Sequence, residues 1–281
     1  MDNINTLDTP LGKSTEYPSQ YTPSLLCPIP RWDTREELDF DSLDLLADEL
    51  PFHGVDYWNA YELSWLNLQG KPQTGAAEFQ IPCTSKSIVE SKSLKLYLNS
   101  LNQTPFASKQ ELIRTLEKDL SHCVDSAVMV KVTEIDRVPD IATGELQGTN
   151  LDQLNINCDT YQPEPAFLAT QSGAPLQEMV YSHLLRTNCP VTNQPDWGSV
   201  IIRYQGAQID HEGLLKYIVS YRQHQGFHEQ VVEQIFVDIM SYCRPAKLSV
   251  YARFTRRGGI DINPFRSNYE EPLPNARLYR Q

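Results

Sequence analysis

HEGLLKYIVSYRQHQGFHEQVVEQIFVDIMSYCRPAKLSVYARFTR, residues 211–256, is the stretch on which the reading of the fold turns. Leu214, Leu215, Ile218 and Val219 recur at helical spacing, and Val231, Val232, Ile235, Phe236, Ile239 and Met240 do so over a longer run. Lys247–Arg256 then sets Leu248, Val250 and Tyr251 among polar residues, the mark of a strand. Working outward, Ser199–Tyr204 is strand-like, so the order is strand, helix, helix, strand. The same order appears earlier in the chain. Gly75–Cys83 reads as a strand, and Ser93–Asn102 as a helix with Leu94, Leu98 and Leu101 on one face. Ser108 and Glu111 fit a capping box ahead of Leu112, Ile113, Leu116 and Leu120, and Ala127–Ile135 alternates as a closing strand. At an offset of 120 residues Tyr97 falls on Tyr217, Leu116 on Phe236, Leu120 on Met240, Cys123 on Cys243 and Val130 on Val250.

Two such modules predict an α+β chain, with antiparallel sheets and helices packed on one face. Residues 1–50, rich in Pro, Asp and Ser/Thr, form a lead-in; 51–137 is the N-terminal module. Residues 138–180 are a linker punctuated by Pro139, Gly144, Gly148, Pro163, Pro165, Gly173 and Pro175, and 181–281 is the C-terminal module.

The composition sets limits. The 281 residues are 40 % hydrophobic, enough for a sizeable core. Lys and Arg total 24 against 36 Asp and Glu, a formal charge of −12, which disfavours direct nucleic-acid binding. No stretch reaches the roughly 20 apolar residues of a membrane helix. The opening MDNINTLDTPLGKS has neither the basic start nor the apolar run of a signal peptide, so a cytoplasmic protein is expected. Six scattered cysteines without a C-x-x-C pair read as thiols rather than a disulfide framework.

Four places carry residues suited to chemistry. In Asn188–Gly198, Cys189 and Asp196 are a thiol nucleophile and a proton donor or acceptor; the structural alternative is an inert loop cysteine with Asp196 ordering a turn. His224 and His228, followed by Glu229, have a zinc-like spacing if helical, but Gly226 interrupts them. A His-Glu pair at a helix head otherwise caps it, or its carboxylate accepts paired N–H donors from a guanine-like ring. Glu90 precedes two lysines, Lys92 and Lys95, near a helix start, where phosphate oxygens are favoured; the structural alternative is a solvated helix start. Arg253, Arg256 and Arg257 beside Gly258 and Gly259 suit a phosphate through planar guanidinium forks and close backbone approach. No Rossmann or P-loop glycine pattern is present.

Together these blocks resemble the QueF family, the NADPH-dependent 7-cyano-7-deazaguanine reductases of queuosine biosynthesis. The likeness is carried by Glu90-Ser91-Lys92-Ser93-Leu94-Lys95-Leu96-Tyr97, by Asn188-Cys189 through Asp196-Trp197-Gly198, by Phe227-His228-Glu229 and by Thr255-Arg256-Arg257-Gly258-Gly259. Leu50-Pro51-Phe52-His53-Gly54 and Tyr61–Asn67 extend it over nearly the whole chain. The resemblance implies two tandem tunnelling-fold modules, a homodimer, and reduction of a nitrile to a primary amine with two NADPH per turnover. It implies that Cys189 forms a covalent thioimide and that Asp196 supplies protons. It places Val89, Glu90, Ser91, His228 and Glu229 on the substrate, and Ser91, Lys92, Arg257 and Gly258 on NADPH, with no metal. The rival readings are a zinc-dependent pterin or purine hydrolase of the same fold and a non-enzymatic purine-binding module.

Overall fold

The structure is a computed structural model, and it describes residues 17–43, 49–135, 144, 146–275 and 277–281. Parts of the expected lead-in (1–16 and 44–48), the end of the expected N-terminal module (136–137) and residues 138–143 and 145 of the expected linker lie outside the described residues. In chain order the regular elements are β1 (Pro28–Pro30), α1 (Arg31–Arg35), β2 (His53–Leu66), β3 (Pro72–Pro82), β4 (Ser87–Val89), α2 (Ser91–Ser100), α3 (Lys109–Val124) and β5 (Met129–Glu134). Then follow β6 (Thr149–Asn150), β7 (Leu176–Asn188), β8 (Pro195–Gly206), α4 (His211–Ser220), α5 (His228–Cys243), β9 (Lys247–Phe254) and β10 (Ile260–Ser267). The class is α+β, as the two periodicities predict.

The chain forms two compact units whose segments interleave. The first takes its described residues from 1–34, 56–142 and 256–262, the second from 35–55, 143–255 and 263–281. In the first, β5, β3 and β2 lie side by side, with β3 and β5 antiparallel. α3 follows from its sequence. Ser108 Oγ accepts from Glu111 N at 3.2 Å, while the Glu111 carboxylate accepts from Ala107 N at 2.7 Å, one residue before the position a capping box would use. Leu112, Leu116, Leu120 and Val124 form its buried stripe, each 0 % exposed. A leucine so buried contributes about 1.5–3 kcal/mol. They join Trp58, Phe79, Leu94 and Tyr97 in one core. Residues 17–34 of the lead-in pack within this unit: β1 pairs with β4, and Tyr21 Oη donates to Asp119 at 2.7 Å.

In the second unit the strand order is β10, β9, β8, β7, β6, antiparallel except for the parallel pair β6–β7. α4 and α5 repeat α2 and α3: α2 and α4 have 10 residues each, α3 and α5 have 16 each. The long helices end alike, on the left-handed residues Asp125 (φ 50°) and Arg244 (φ 48°). The repeat corrects the sequence alignment. Tyr97 and Tyr217 do correspond at an offset of 120, but α3 and α5 begin at Lys109 and His228, an offset of 119. Leu116 therefore matches Ile235 and Leu120 matches Ile239, so the pairings with Phe236 and Met240, and of Cys123 with Cys243, were one residue out.

Candidate active site

The thiol and carboxyl singled out in the sequence sit on one hairpin, and a bulge decides which way they face. Between Ser182, which pairs with Val200, and Leu185, which pairs with Gly198, β7 carries one extra residue. Asp152 holds this bulge, accepting from Ser182 Oγ at 2.6 Å and from His183 N at 2.9 Å. An inserted residue moves later side chains to the opposite face. Buried positions on β7 accordingly change from even numbers (Val180, Ser182) to odd ones (Leu185, Thr187). Thr187 lies directly across from Asp196. Cys189, two residues beyond Thr187, begins the turn; its N–H donates to Gln194 O at 2.9 Å and its carbonyl accepts from Asn193 N at 3.0 Å. Cys189 is 3 % and Asp196 6 % exposed. Asp196 belongs to β8 and not to the loop, so its backbone is held by the ladder. Backbone bonds tie the hairpin end down, Asn188 N donating to His224 O at 2.8 Å and Gly226 N to Asn188 O at 3.2 Å.

His228 and Glu229 are the first two residues of α5, and neither caps it: Phe227 holds the cap position without a side-chain bond. The expectation that the pair caps the helix therefore fails for both. Glu229 is 4 % exposed. The His228 ring stacks on Phe254, with centroids 3.7 Å apart and planes 7° from parallel. Its Nε2 is 3.4 Å from Asp196 Oδ2. His224 lies before the helix, in extended backbone, so the two histidines do not share a helical face. Among the described residues, no group of three His, Cys, Asp or Glu is placed to hold a metal ion. No described helix is long and apolar enough to cross a membrane.

Within the first unit, Glu90 is the N-cap of α2, its two oxygens accepting from Lys92 N at 2.7 Å and Ser93 N at 2.8 Å. The lead-in holds its backbone, because Glu90 N donates to Cys27 O at 2.9 Å. Burial pushes the Glu90 carboxyl up, opposed by those N–H bonds and by the Lys95 charge. Val89 is buried and pairs with Pro28. Ser91 and Lys92 open the helix, and Ser91 Oγ is 3.5 Å from Glu90 Oε1. Arg257 and Gly258 lie in the tight turn before β10. Gly258 (φ 62°) and Gly259 (φ 78°) are both left-handed, and Arg257 N donates to Ile260 O at 2.8 Å. That is the geometry of a two-residue turn with φ positive at both central positions, which explains the glycine pair without a ligand. A Cβ on Gly258 would lie 3.3 Å from Lys95 Nζ, so Lys95 covers the turn. Lys95, the second of the two lysines after Glu90, thus joins Glu90 and the Arg257–Gly258 turn. Sequence spacing missed Phe254, since its stacking partner is 26 residues away in sequence.

Residues 17–132 match the family described as "Nitrile reductase, 7-cyano-7-deazaguanine-reductase N-term", and residues 195–272 match "QueF-like protein". Over 280 residues the chain is 53 % identical to the NADPH-dependent 7-cyano-7-deazaguanine reductase of Burkholderia ambifaria, covering 99 % of this chain and 100 % of that one. It is 52 % identical over 280 residues to the reductase of the same name from Burkholderia multivorans, with the same coverage. The chain belongs to the NADPH-dependent 7-cyano-7-deazaguanine reductase family. Within this reductase sequence Glu90, Ser91 and Lys92 fall in the first matched segment. Asp196, His228, Glu229, Arg257 and Gly258 fall in the second, and Cys189 lies six residues before it. A solved structure, the archaeosine synthase QueF-like protein in its apo form, is 18 % identical, with a TM-score of 0.30 over 36 % of this chain and 99 % of its own.

Proposed function

We propose that the chain reduces the nitrile of 7-cyano-7-deazaguanine to the aminomethyl group of 7-aminomethyl-7-deazaguanine, in queuosine biosynthesis, through a thioimide on Cys189. The observation that carries this reading is the match to curated reductases over 99 % of the chain, together with Cys189 and Asp196 buried on one hairpin. A nitrile carbon is a mild electrophile and calls for a soft nucleophile such as a thiolate. The Cys189 sulfur bonds to that carbon, the C≡N bond becomes C=N, and Asp196 delivers a proton to the nitrogen. NADPH supplies two hydrides per nitrile. The first goes to the thioimide carbon; the carbon–sulfur bond then breaks, the sulfur leaves with its electron pair, and an imine remains. The second goes to the imine carbon, and a proton to nitrogen completes the amine. The balance is one nitrile, two NADPH and two protons to one amine and two NADP⁺.

Each unit carries a carboxylate suited to the N–H donors of a guanine-like edge: Glu90 in the first, flanked by the Val89 and Ser91 backbone, and Glu229 in the second, next to His228. Glu90 already serves α2, but a carboxylate offers about four lone-pair sites, so it can accept from the substrate as well. For NADPH, the residues fit an anionic group: Lys92 at the start of α2, Arg257, and Lys95 against the Gly258 turn. Ser91, Lys92, Arg257 and Gly258 would hold it. The homodimer and the cytoplasmic setting belong to the same reading, the homodimer resting on the family likeness, and the modules at 51–137 and 181–281 rest on the repeated order of strands and helices in the sequence.

The test is to measure NADPH oxidised against amine formed from 7-cyano-7-deazaguanine. A ratio of two is expected; turnover without amine would overturn the reading. In Asp196→Asn, kcat should fall by about 10²–10⁴-fold, the usual weight of a positioned proton donor, and an unchanged kcat would remove Asp196 from that role.

A further inference from the structure

We propose that Phe254, seated over Gly198, is the positioning residue that fixes the His228 imidazole against Asp196. The proposal rests on the nitrile chemistry above and adds two residues to it. A histidine at work usually has its ring oriented by a hydrogen bond on its second nitrogen. His228 lacks that hold: Nδ1 is buried and makes no hydrogen bond among the described residues, while Nε2 faces Asp196 Oδ2 at 3.4 Å. What lies flat against the ring is the Phe254 face, at 3.7 Å and 7°.

Phe254 is itself firmly held. It is 0 % exposed, its N–H donates to Asn263 Oδ1 at 3.0 Å, and its carbonyl accepts from Gln281 Nε2 at 3.1 Å. Its ring has room because the residue across from it on β8 is Gly198. A Cβ there would stand 3.1 and 3.2 Å from the ring's Cδ1 and Cε1, and 3.4 Å from Leu185 Cδ2, with little space for either to yield. Gly198 is thus required for room; its backbone is not among the left-handed glycines. Asp196 and Gly198 share one face of β8, so Asp196, the ring platform and the imidazole form one continuous contact series.

The test compares wild type, Phe254→Leu, Phe254→Tyr, Gly198→Ala and the Phe254→Leu/Gly198→Ala double variant, with kcat and KM expressed per folded protein by circular dichroism. A displacement of about 1 Å at a reacting centre costs about 10²-fold. Phe254→Leu should therefore lose at least about tenfold in kcat with KM for NADPH within about twofold. Phe254→Tyr, which keeps the aromatic face, should retain more of the rate than Phe254→Leu. Gly198→Ala should fall in the same direction, and the double variant should be no slower than Phe254→Leu, because both act through one ring. Wild-type kcat in Phe254→Leu, no advantage for Phe254→Tyr, or additive losses in the double variant would overturn the proposal. Absence of nitrile turnover in wild type would instead overturn the function itself.

Discussion

Tyr97 and Tyr217 each donate to a buried carboxylate on the long helix of their own unit: Tyr97 Oη to Asp119 at 2.7 Å and Tyr217 Oη to Asp238 at 2.5 Å. Burial pushes both phenols up, so they remain donors throughout the working pH range. The third partner differs. Asp119 also accepts from Tyr21 of the lead-in, whereas Tyr217 Oη is 2.7 Å from Tyr221 Oη. Tyr217→Phe therefore strands two groups, Tyr221 and one oxygen of Asp238, and should cost about 1–3 kcal/mol. Tyr97→Phe should cost less, because Asp119 Oδ2 keeps Tyr21. Urea midpoints of the two variants check the order, and an equal or reversed ranking would contradict it. The tyrosines were legible at an offset of 120; the aspartates sit at 119, and that single slip hid the pair.

Among elements, the helices were the readable part, since the stripes from Leu94 to Leu101 and from Val231 to Ile239 repeat at the helical period. Their ends were less so: Asp125 and Arg244 take left-handed backbone where glycine or asparagine is the usual signal. The bulge at Ser182–Leu185 leaves no mark in an alternation count, yet it gives Thr187, and with it the start of the Cys189 turn, its facing. The short helical turn Tyr221–Gln223 ends at His224, whose carbonyl anchors Asn188. Burial lowers His224 from 6.5 to about 4. Between those values the unfolded chain carries the proton and the folded chain does not. Stability is therefore present above pH 6.5 and is lost as pH falls toward about 4. The loss should be on the order of 1–3 kcal/mol and smaller in His224→Gln. Urea midpoints of both proteins across that window test this; parallel curves would contradict it.

At the scale of the whole molecule, the duplicated hairpins differ in what their turns carry. The hairpin turn between β2 and β3 is closed by Asn67, whose side chain accepts from Gln69 N at 3.0 Å and Lys71 N at 2.9 Å. Its counterpart between β7 and β8 holds Cys189 instead, with Asp196 following in the strand. The two copies have kept their helices and the left-handed ends of the long ones and differ in what their turns carry, so one nucleophile per chain is expected. The motif blocks made these residues visible in the sequence. The ring under His228 was not, because Phe254 meets it only after the sheet and α5 have packed. The most direct measurement is the intact mass of the protein after mixing with 7-cyano-7-deazaguanine in the absence of NADPH. The account predicts an increase equal to the whole mass of the nitrile, located on Cys189, absent in Cys189→Ala and discharged when NADPH is added. An unmodified Cys189 in a protein that still reduces the nitrile, or full turnover by Cys189→Ala, would contradict it.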